Sequence, residues 1–481
     1  MLKPILMTAA VAAALLAPGA ASAVSDAEMK ELREQVQQMK REYEQRIDAL
    51  EKRLQQAESA SQKAENAAGR AEDVAAKAAA DAVRPESVVA QSGRGPASES
   101  TFNPAVSVIL NGVYSNLSLD PARYQITGFV PTGGEVGPGK RGFSLGESEI
   151  AFAANVDHYF RGTLIAALQP DNSVSVEEGY IQTLGLSHGL TLKAGRFYSS
   201  VGYLNEVHPH AWDFTDAPLA NKVFLGNQFA DDGLQLKWLA PTDTYFDLGV
   251  EVGRGRSFPG SDRDKNGVGA TNLFAHLGGD ISASTAWLVG LANLRTTAQN
   301  RGYTDLNSLG SEVNNSFNGK SSLWVLDGVL KWAPNGNGTD TNLKLQGEYF
   351  RRAEDGNMTY DTAGASRGTQ TGALNSAQSG WYAQGVYQFM PMWRAGYRYD
   401  RLNSGTVKLG LVDSGALAAS DLPVFTPYNA TRNTLMLDYS PSEFSRLRLQ
   451  FASDKSRLGA TDSQVFLQYI VSLGAHGAHK F

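Results

Sequence analysis

"TNLKLQGEYF", residues 341–350, alternates apolar and polar side chains along its length. The two sets fall on opposite sides of an extended chain: Leu343, Leu345 and Tyr349 against Lys344, Gln346 and Glu348. Successive side chains of a β-strand point to opposite faces, so a period of two indicates a strand whose two faces meet different surroundings. The stretch therefore predicts a strand with one apolar and one polar face.

The same alternation recurs through most of the chain. It is clear in "TYFDLGVEV" at 244–252 and in "SRLRLQF" at 445–451. About sixteen such segments of roughly 10–14 residues are predicted from the period-two pattern, centred near residues 110, 150, 164, 180, 194, 235, 250, 273, 290, 328, 347, 385, 397, 435, 449 and 468.

The predicted connections alternate between short and long. Short turns are expected at 157–159, 187–189, 240–243, 278–281, 335–340, 390–392 and 440–443. Long loops are expected at 118–141, 201–229, 257–267, 298–320, 354–378 and 404–430, with two shorter members at 170–173 and 455–461. Transmembrane barrels have short periplasmic turns, long outer loops and an even number of strands. We therefore predict an all-β transmembrane barrel of about 16 antiparallel strands over residues 102–481.

The main alternative is a tandem of soluble β-sandwiches. Sandwiches pack the inner faces of their strands into an apolar core, whereas polar side chains line one face of every predicted strand in this chain. Polar inner faces suit a water-filled lumen better than a packed core. The barrel is therefore favoured.

The first 23 residues have the features of a secretory signal peptide. Lys3 supplies a positive start, an apolar run follows, and "ASA" at 21–23 is a small-residue cleavage site. The apolar run is shorter than the roughly 20 residues that a spanning helix needs. The chain contains no cysteine, which excludes disulfides and thiolate metal sites. We expect export to the cell outer membrane.

Residues 24–83 carry apolar side chains at alternating intervals of three and four in an otherwise polar sequence rich in alanine and charge. The residues of this seam include Leu32, Val36, Met39, Tyr43, Ile47, Leu50 and Leu54. The spacing predicts a periplasmic coiled coil. A lone surface helix is the alternative, but so narrow an apolar stripe needs partner helices. Residues 84–101, rich in Pro, Gly and Ser, are predicted to be a linker.

Four stretches carry a family resemblance: "LKAGRFYSSVGYLNEVHP", "SGWYAQGVYQFMPMWRAGYRYDRL", "TRNTLMLDYSPSEFSRLRLQFASD" and "SQVFLQYIVSLGAHGAHKF". They resemble the phosphate-selective porin O and P family of bacterial outer membranes over roughly residues 100–481. Many members of that family also have a predicted coiled coil before the barrel. The resemblance implies a sixteen-stranded barrel, a homotrimer and passive diffusion of small solutes. In phosphate-selective members a ladder of arginines and lysines lines the lumen.

The polar faces of the strands supply charges to the predicted lumen. The basic candidates include Lys193, Lys237, Lys331, Lys344, Arg394, Arg398, Arg446 and Arg448. The acidic candidates include Glu147, Glu149, Asp247, Glu251, Asp327, Glu348, Asp400 and Asp438. The two signs are nearly balanced. Opposite charges that face each other across a pore create a transverse field, which favours small polar solutes with weak ion selectivity. Alternatively, these side chains are merely solvated pairs that stabilise the wall.

The loop after the fifth predicted strand contains "YLNEVHPHAWDFTDAPL", residues 203–219. The resemblance implies that this loop folds inward and narrows the pore. Its constriction candidates are Glu206, His208, His210, Trp212, Asp213, Asp216 and Lys222. Two histidines are a weak signal for a metal site, which needs a third ligand such as Glu206, Asp213 or Asp216, and no metal site is predicted. Because histidine changes charge near neutral pH, a pH-sensitive constriction is a hypothesis.

We therefore predict a porin for small hydrophilic solutes or ions, without a cofactor. No enzyme is expected, because Ser187 and His188 lie together in a short turn without an orienting acid. The mild net charge of −6 gives no reason to expect nucleic acid. Outer-membrane lipid, lipopolysaccharide and the barrel-assembly machinery are the expected partners. A structural tether that joins the envelope layers is the alternative function; an active receptor or metal-uptake channel is less favoured.

Overall fold

The structure is a computed structural model that describes residues 104–133 and 136–474. The predicted signal peptide, coiled coil and linker, residues 1–101, lie outside the described residues.

The described chain is built almost entirely of β-strands. The seventeen strand segments are β1 Ala105–Leu117, β2 Gly142–Leu145, β3 Ser148–Asn155, β4 Phe160–Leu168, β5 Val174–Thr183, β6 Leu190–Tyr198, β7 Ala230–Leu239, β8 Tyr245–Gly253, β9 Ala270–Ser282, β10 Thr285–Leu306, β11 Glu312–Trp332, β12 Asn342–Tyr360, β13 Gln370–Met390, β14 Trp393–Leu409, β15 Thr431–Ser442, β16 Ser445–Lys455 and β17 Asp462–Gly474. Two short helices are α1 Leu219–Leu225 and α2 Gly410–Asp413. None of the helices in the described part of the chain has the length and apolar character needed to cross a bilayer.

The strands form a closed ring. From β3 to β17 each strand pairs antiparallel with the next along the chain, and β17 pairs with β1 from Ser107↔Gly474 to Leu117↔Gln464. Both β2 and β3 pair with β1, so they are two halves of one strand. Seventeen segments therefore make sixteen strands around the ring. The predicted sixteen-stranded barrel is confirmed, and every predicted strand centre falls within an observed strand.

The two faces of the wall differ as the alternation predicts. On β12, Leu345 and Tyr349 are 45% and 42% exposed on the outside, whereas Glu348 is 3% exposed on the inside. On β8, Leu248 points outward while Asp247 and Glu251 are buried inside. Apolar residues therefore cover the outer wall and polar residues line the interior.

The two ends of the barrel have different connections. At one end, which we call the turn end, short segments join the strands, such as the two residues between β9 and β10. At the other, the loop end, longer segments such as 118–141, 199–229 and 410–430 join them. Two predicted long loops, 298–320 and 354–378, are instead mostly strand. Their Asn, Ser and Gly residues are typical of loops, but neighbouring strands pair their backbones out to Leu306↔Glu312.

An apolar cluster fills part of the interior at the loop end. Phe129, from the described part of the first loop, packs edge-on against Phe224 with 5.8 Å between ring centroids. Phe224 stacks on Phe350 of β12, also at 5.8 Å. Leu219 and Val201 join the same buried cluster. Burial of apolar side chains therefore holds the loop between β6 and β7 against the inside of the wall.

Candidate functional site

Residues 199–229, between β6 and β7, lie inside the barrel, and we call this segment the inward loop. Asn205 ties its two ends together. The Asn205 amide donates to the carbonyl oxygens of Ser199 at 2.7 Å and Phe229 at 2.9 Å, and its oxygen accepts from the Phe229 N–H at 2.6 Å. The Asn205 side chain is completely buried. These bonds are therefore shielded from water, which strengthens them.

Local sequence signals shape the inward loop. Pro209 begins a single 3-10 turn, where its fixed φ is favourable and its missing N–H is not needed. Pro218 precedes α1 in an extended conformation. Gly226 ends α1 with a φ of +65°, a left-handed conformation that glycine adopts without a steric cost. The loop is therefore a compact, well-defined structure.

The two histidines of the inward loop contact carboxylates of β3 and β5, which we call the acidic wall. His208 Nδ1 lies 3.2 Å from Glu149 Oε2 and 3.5 Å from Glu177 Oε2, and its Nε2 lies 3.0 Å from Glu178 Oε2. His210 Nδ1 lies 2.9 Å from Glu149 Oε1. Burial alone would lower the pKa of His208, but its close contacts with these three glutamates raise that pKa well above its ordinary value.

A β-bulge directs two consecutive glutamates of β5 into the lumen. Val174 and Val176 are exposed on the outer wall, and so is Ile181. Val174 and Val176 have even residue numbers and Ile181 has an odd one, so the inside–outside alternation shifts by one residue between Val176 and Ile181. The pairing with β4 shifts at the same place, leaving Glu177 unpaired between Ile165↔Glu178 and Ala166↔Val176. Bulges insert one extra residue and redirect side chains, so both Glu177 and Glu178 face inward.

The first aspartate of the inward loop contacts the opposite side of the lumen, on strands β12 to β16, which we call the basic wall. Asp213 Oδ2 lies 3.0 Å from Lys344 Nζ, and Asp213 Oδ1 lies 3.4 Å from Arg394. The neighbouring Trp212 carbonyl accepts from Arg448 at 2.9 Å and from Arg446 at 3.3 Å. Four cations of the basic wall therefore hold this part of the loop.

The second aspartate, Asp216, forms ion pairs with Arg432 and, at 3.3 Å, with Arg398. Lys222 of α1 lies 3.0 Å from the same carboxylate. Asp400 of β14 accepts from the N–H of Leu219 at 2.8 Å, at the start of α1. A carboxylate at a helix start is favourable because the first N–H groups of a helix have no partners within it.

These contacts change how the buried loop charges titrate. Burial would raise the pKa of Asp213, but Lys344 and Arg394 hold it below its usual value. Burial likewise opposes ionisation of Asp216, yet Arg432, Lys222 and Arg398 hold its pKa well below the ordinary range. Each aspartate therefore remains charged at neutral pH. The loop thus presents histidines to the acidic wall and carboxylates to the basic wall.

A cavity of about 240 Å³ lies on the turn-end side of the inward loop. His210 lines it on one side, and Arg394 and Arg446 line it on the other. Both arginine side chains are 23% exposed, so water reaches them. The lumen at this level therefore has charged groups of both signs close to an aqueous space.

The structure gathers five of the predicted lumen cations on the basic wall: Lys344, Arg394, Arg398, Arg446 and Arg448. The predicted lumen charges of β6, β7 and β8 lie elsewhere. Lys237 and Asp247 approach to 3.8 Å on β7 and β8. Lys193 lies on β6, with its Nζ 4.7 Å from the Tyr180 ring centroid. Glu251 accepts from the backbone N–H of Ser200 at 2.9 Å.

Two predicted acids hold the first part of the inward loop. Glu348 accepts from the N–H of Leu204 at 2.7 Å, near the beginning of the loop. Glu206 accepts from the hydroxyl of Ser200 at 2.8 Å within the loop itself. Trp212 is buried, and its ring N–H donates to the Val207 carbonyl at 2.7 Å. These three contacts stabilise the fold of the loop.

Several charged residues of the site were not among the sequence predictions. Glu177 and Glu178 are partners of His208. The sequence sign that both face inward is that the apolar, outward-facing residues of β5 change from even numbers, as at Val176, to odd numbers, as at Ile181. Arg432 is the main partner of Asp216. Leu435 of the same strand faces outward and has an odd number. Because side chains alternate along a strand, the even-numbered Arg432 is expected to face inward.

No family model matches the chain. Among solved structures, the fold is similar to OmpT of Vibrio cholerae (TM-score 0.48, 11% identity, covering 77% of this chain and 97% of that chain). It is also similar to OprB of Pseudomonas putida (0.45, 13%, 77% and 94%) and the outer membrane channel DcaP of Acinetobacter baumannii (0.43, 12%, 77% and 97%). All three TM-scores are below 0.5.

A sequence relative is considerably closer. An uncharacterized protein of Aquifex aeolicus (strain VF5) is 32% identical over 357 residues, which cover 71% of this chain and 71% of the relative. The chain therefore belongs to the same protein family as this Aquifex aeolicus protein.

Proposed function

We propose that this protein is an outer-membrane porin through which small hydrophilic solutes or ions diffuse passively. The observation that supports this most is the inward loop, which crosses the interior of a closed barrel and contacts a charged wall on each side. His208 contacts the acidic wall, and Asp213 and Asp216 contact the basic wall. The proposal includes no enzymatic activity and no cofactor.

The outer surface of the barrel supports a membrane location. Exposed aromatic side chains lie near the turn end, among them Tyr159, Trp332, Phe389 and Phe444, and others lie toward the loop end, among them Trp324, Trp381 and Phe451. On β13, Phe389 and Trp381 are about 26 Å apart along the strand at ~3.3 Å per residue. With the usual strand tilt this is about 20 Å across the membrane, close to the apolar band of about 25 Å in known barrels.

Basic residues outside this aromatic band indicate which end of the barrel faces the cell exterior. Five exposed cations lie on the outer wall level with Trp381 or on its loop-end side: Arg295, Lys320, Arg351, Arg401 and Lys408. Arg401 is directly paired with Trp381. Phosphate groups of lipopolysaccharide are suitable partners for such arginines and lysines. We therefore propose that the loop end faces the cell exterior and the turn end faces the periplasm.

The interior suits small polar solutes. Acidic and basic walls facing each other produce a transverse field, which orders water and disfavours apolar molecules. Most lumen charges are paired, for example Arg394 with Asp438 and Arg398 with Asp400. Paired charges leave a small net field along the pore axis, so we propose weak rather than strong ion selectivity.

We also propose a homotrimer, supported by the narrow apolar seam of the predicted coiled coil. The same seam favours a second candidate function, a structural tether in which the barrel serves as a membrane anchor. The two functions differ in a measurable property, because only a porin must let solutes cross the membrane.

A liposome-swelling assay with the purified full-length protein tests the proposal. We expect swelling rates above those of protein-free liposomes, decreasing as the sugar in the medium becomes larger. A correctly folded oligomer that leaves the swelling rate at the protein-free value contradicts the porin proposal and supports the tether.

A further inference from the structure

We propose that Glu149, Glu177, His208 and His210 form a binding site for one divalent transition-metal cation, such as Zn²⁺, inside the barrel. Zinc prefers imidazole nitrogen and carboxylate oxygen ligands in tetrahedral geometry. The site joins the inward loop to the acidic wall. It does not depend on the passage of solutes, so a failure of the porin proposal leaves it unaffected.

The donor atoms are already spaced as a metal requires. Around a tetrahedral zinc with metal–ligand distances near 2.0–2.1 Å, neighbouring ligand atoms are about 3.3 Å apart. His208 Nδ1 lies 3.2 Å from Glu149 Oε2 and 3.5 Å from Glu177 Oε2. His210 Nδ1 lies 2.9 Å from Glu149 Oε1. Ligand atoms of Glu149, His208 and His210 all lie within 4.8 Å of one another. Only small movements are needed to enclose an ion.

His208 is oriented in the manner of a metal-binding histidine. Its Nε2 lies 3.0 Å from Glu178 Oε2. Metal-ligating histidines nearly always donate their second ring N–H to a carboxylate, carbonyl or water, which fixes the tautomer. With Nε2 donating to Glu178, the Nδ1 atom of His208 is directed toward Glu149 and Glu177. A metal ion that displaces the Nδ1 proton would therefore lie between the imidazole and these two carboxylates.

A second, independent observation points to a bound cation. The Glu177 side chain is 8% exposed, and its Oε2 has no hydrogen-bond partner among the described residues. The same holds for Nδ1 of His208, although both atoms face one another at 3.5 Å. Leaving a buried carboxylate oxygen without a hydrogen bond is costly. A metal ion coordinated by both atoms removes that cost.

The local charge also favours a divalent cation. Four glutamates of β3, β5 and the β2–β3 junction, Glu147, Glu149, Glu177 and Glu178, lie within or beside the cluster. Lys193 of β6 contributes one positive charge near Glu178. With both histidines neutral, as metal ligation requires, these five charged groups leave a net charge of −3. A divalent cation reduces that excess in a largely buried place.

Two irregularities of the wall create the cluster. The bulge at Glu177 places two consecutive carboxylates inside. The break between β2 and β3 shifts the inside–outside alternation near Glu147 and Glu149: Leu145 and Ile150 are both exposed outside, although one residue number is odd and the other even. Bulges are found preferentially beside functional sites. Because His210 also lines the cavity at the turn end, an ion has a path to the site.

Isothermal titration calorimetry of zinc binding to the purified, untagged full-length protein tests the proposal. We expect one site per chain. His208→Ala, His210→Ala and Glu149→Gln should each weaken binding at least about 100-fold, whereas Glu178→Gln should weaken it about 10- to 100-fold, as expected for a residue that orients a ligand. The matched control is His276→Ala, because His276 is also a part-buried lumen histidine beside a carboxylate, 2.7 Å from Asp247; its affinity should equal that of the unmodified protein.

Cobalt serves as a spectroscopic probe of the same site. Bound Co²⁺ should give visible absorption typical of tetrahedral coordination, and Glu149→Gln, which preserves the shape of the side chain, should abolish it while the barrel remains folded by circular dichroism. Absence of stoichiometric zinc binding, or zinc binding that persists in both histidine variants, overturns the proposal. In that case a protonated His208, rather than a metal, neutralises the glutamates.

Discussion

Asp213 of the inward loop and Lys344 of β12 form an ion pair of 3.0 Å across 131 residues of sequence. Arg394 lies 3.4 Å from the same carboxylate, whose side chain is 8% exposed. The pair fastens the middle of the loop to the basic wall. Because the carboxylate is buried while Lys344 and Arg394 are partly exposed, removing the carboxylate leaves two cations that only water can compensate in part.

Asp213→Asn should therefore destabilise the inward loop and make the net charge of the lumen more positive. Breaking a fully buried ion pair costs about 3–5 kcal/mol. Because Lys344 and Arg394 are 24% and 23% exposed, urea unfolding should show a loss below that range. The zero-current potential in a salt gradient should shift toward anion preference. Asp262→Asn is the control, because Asp262 is 72% exposed and its ion pair is with the exposed Arg254. An unchanged potential in Asp213→Asn would show that the loop charge does not face the permeation path.

Asn205→Leu should loosen the whole inward loop. The substitution keeps the side-chain size but removes the three hydrogen bonds to Ser199 and Phe229. Each is worth about 1 kcal/mol, and the buried backbone groups left behind add to the cost. Hydrogen–deuterium exchange should become faster in residues 199–229 and stay unchanged in β12 and β13. Unaltered exchange in the loop would mean that the apolar cluster alone holds it.

The contribution of Asp216 to stability should depend on pH in a defined range. The folded pKa of Asp216 lies well below that of an unfolded aspartate, about 3.9. Its stabilisation is therefore fully present above the unfolded pKa and is lost as the pH falls through the folded pKa. The difference in unfolding free energy between the unmodified protein and Asp216→Asn should be constant from pH 7 to about 5 and should shrink below about 4. A difference that already disappears between pH 7 and 5 contradicts the depressed pKa.

Replacing Leu32, Val36 and Leu50 with Asp should weaken the proposed trimer. Charged residues in an apolar coiled-coil seam prevent the helices from packing. Chemical cross-linking should then yield fewer trimers, whereas the same number of Asp substitutions at polar positions between the seam residues should have no effect. Unchanged trimers in the seam variant would show that the barrel alone maintains the oligomer.

The strand pattern could be predicted because the wall separates two environments. Every predicted strand centre lies within an observed strand, since residues such as Leu345 and Glu348 must face opposite sides. Strand lengths were underestimated at the loop end. There the outer face is largely polar and the few apolar residues, such as Tyr303, Val313 and Phe317, are buried inside. β10 and β11 therefore continue to Leu306↔Glu312 without the regular alternation that identifies a strand. Backbone pairing, which side-chain patterns do not report, decides where these strands end.

The inward loop was expected from family resemblance, but its partners were not. His208 is paired with Glu149, Glu177 and Glu178, all on strands distant in sequence. Simple alternation puts only one of two consecutive glutamates inside. The bulge at Glu177 breaks that rule. In the sequence it shows itself as a change of the apolar positions from even to odd residue numbers after Val176.

The central claim is that ions cross the barrel beside the inward loop, and cysteine modification during single-channel recording tests it most directly. The chain has no cysteine, so a single introduced thiol reports one position. Ser472 of β17 lines the cavity below the loop, whereas its neighbour Leu473 is 50% exposed on the outer wall. A charged methanethiosulfonate reagent should reduce the single-channel conductance of Ser472→Cys and leave those of Leu473→Cys and the unmodified protein unchanged. Absence of channels in all three proteins, or an equal response of the two cysteine variants, would contradict the porin account.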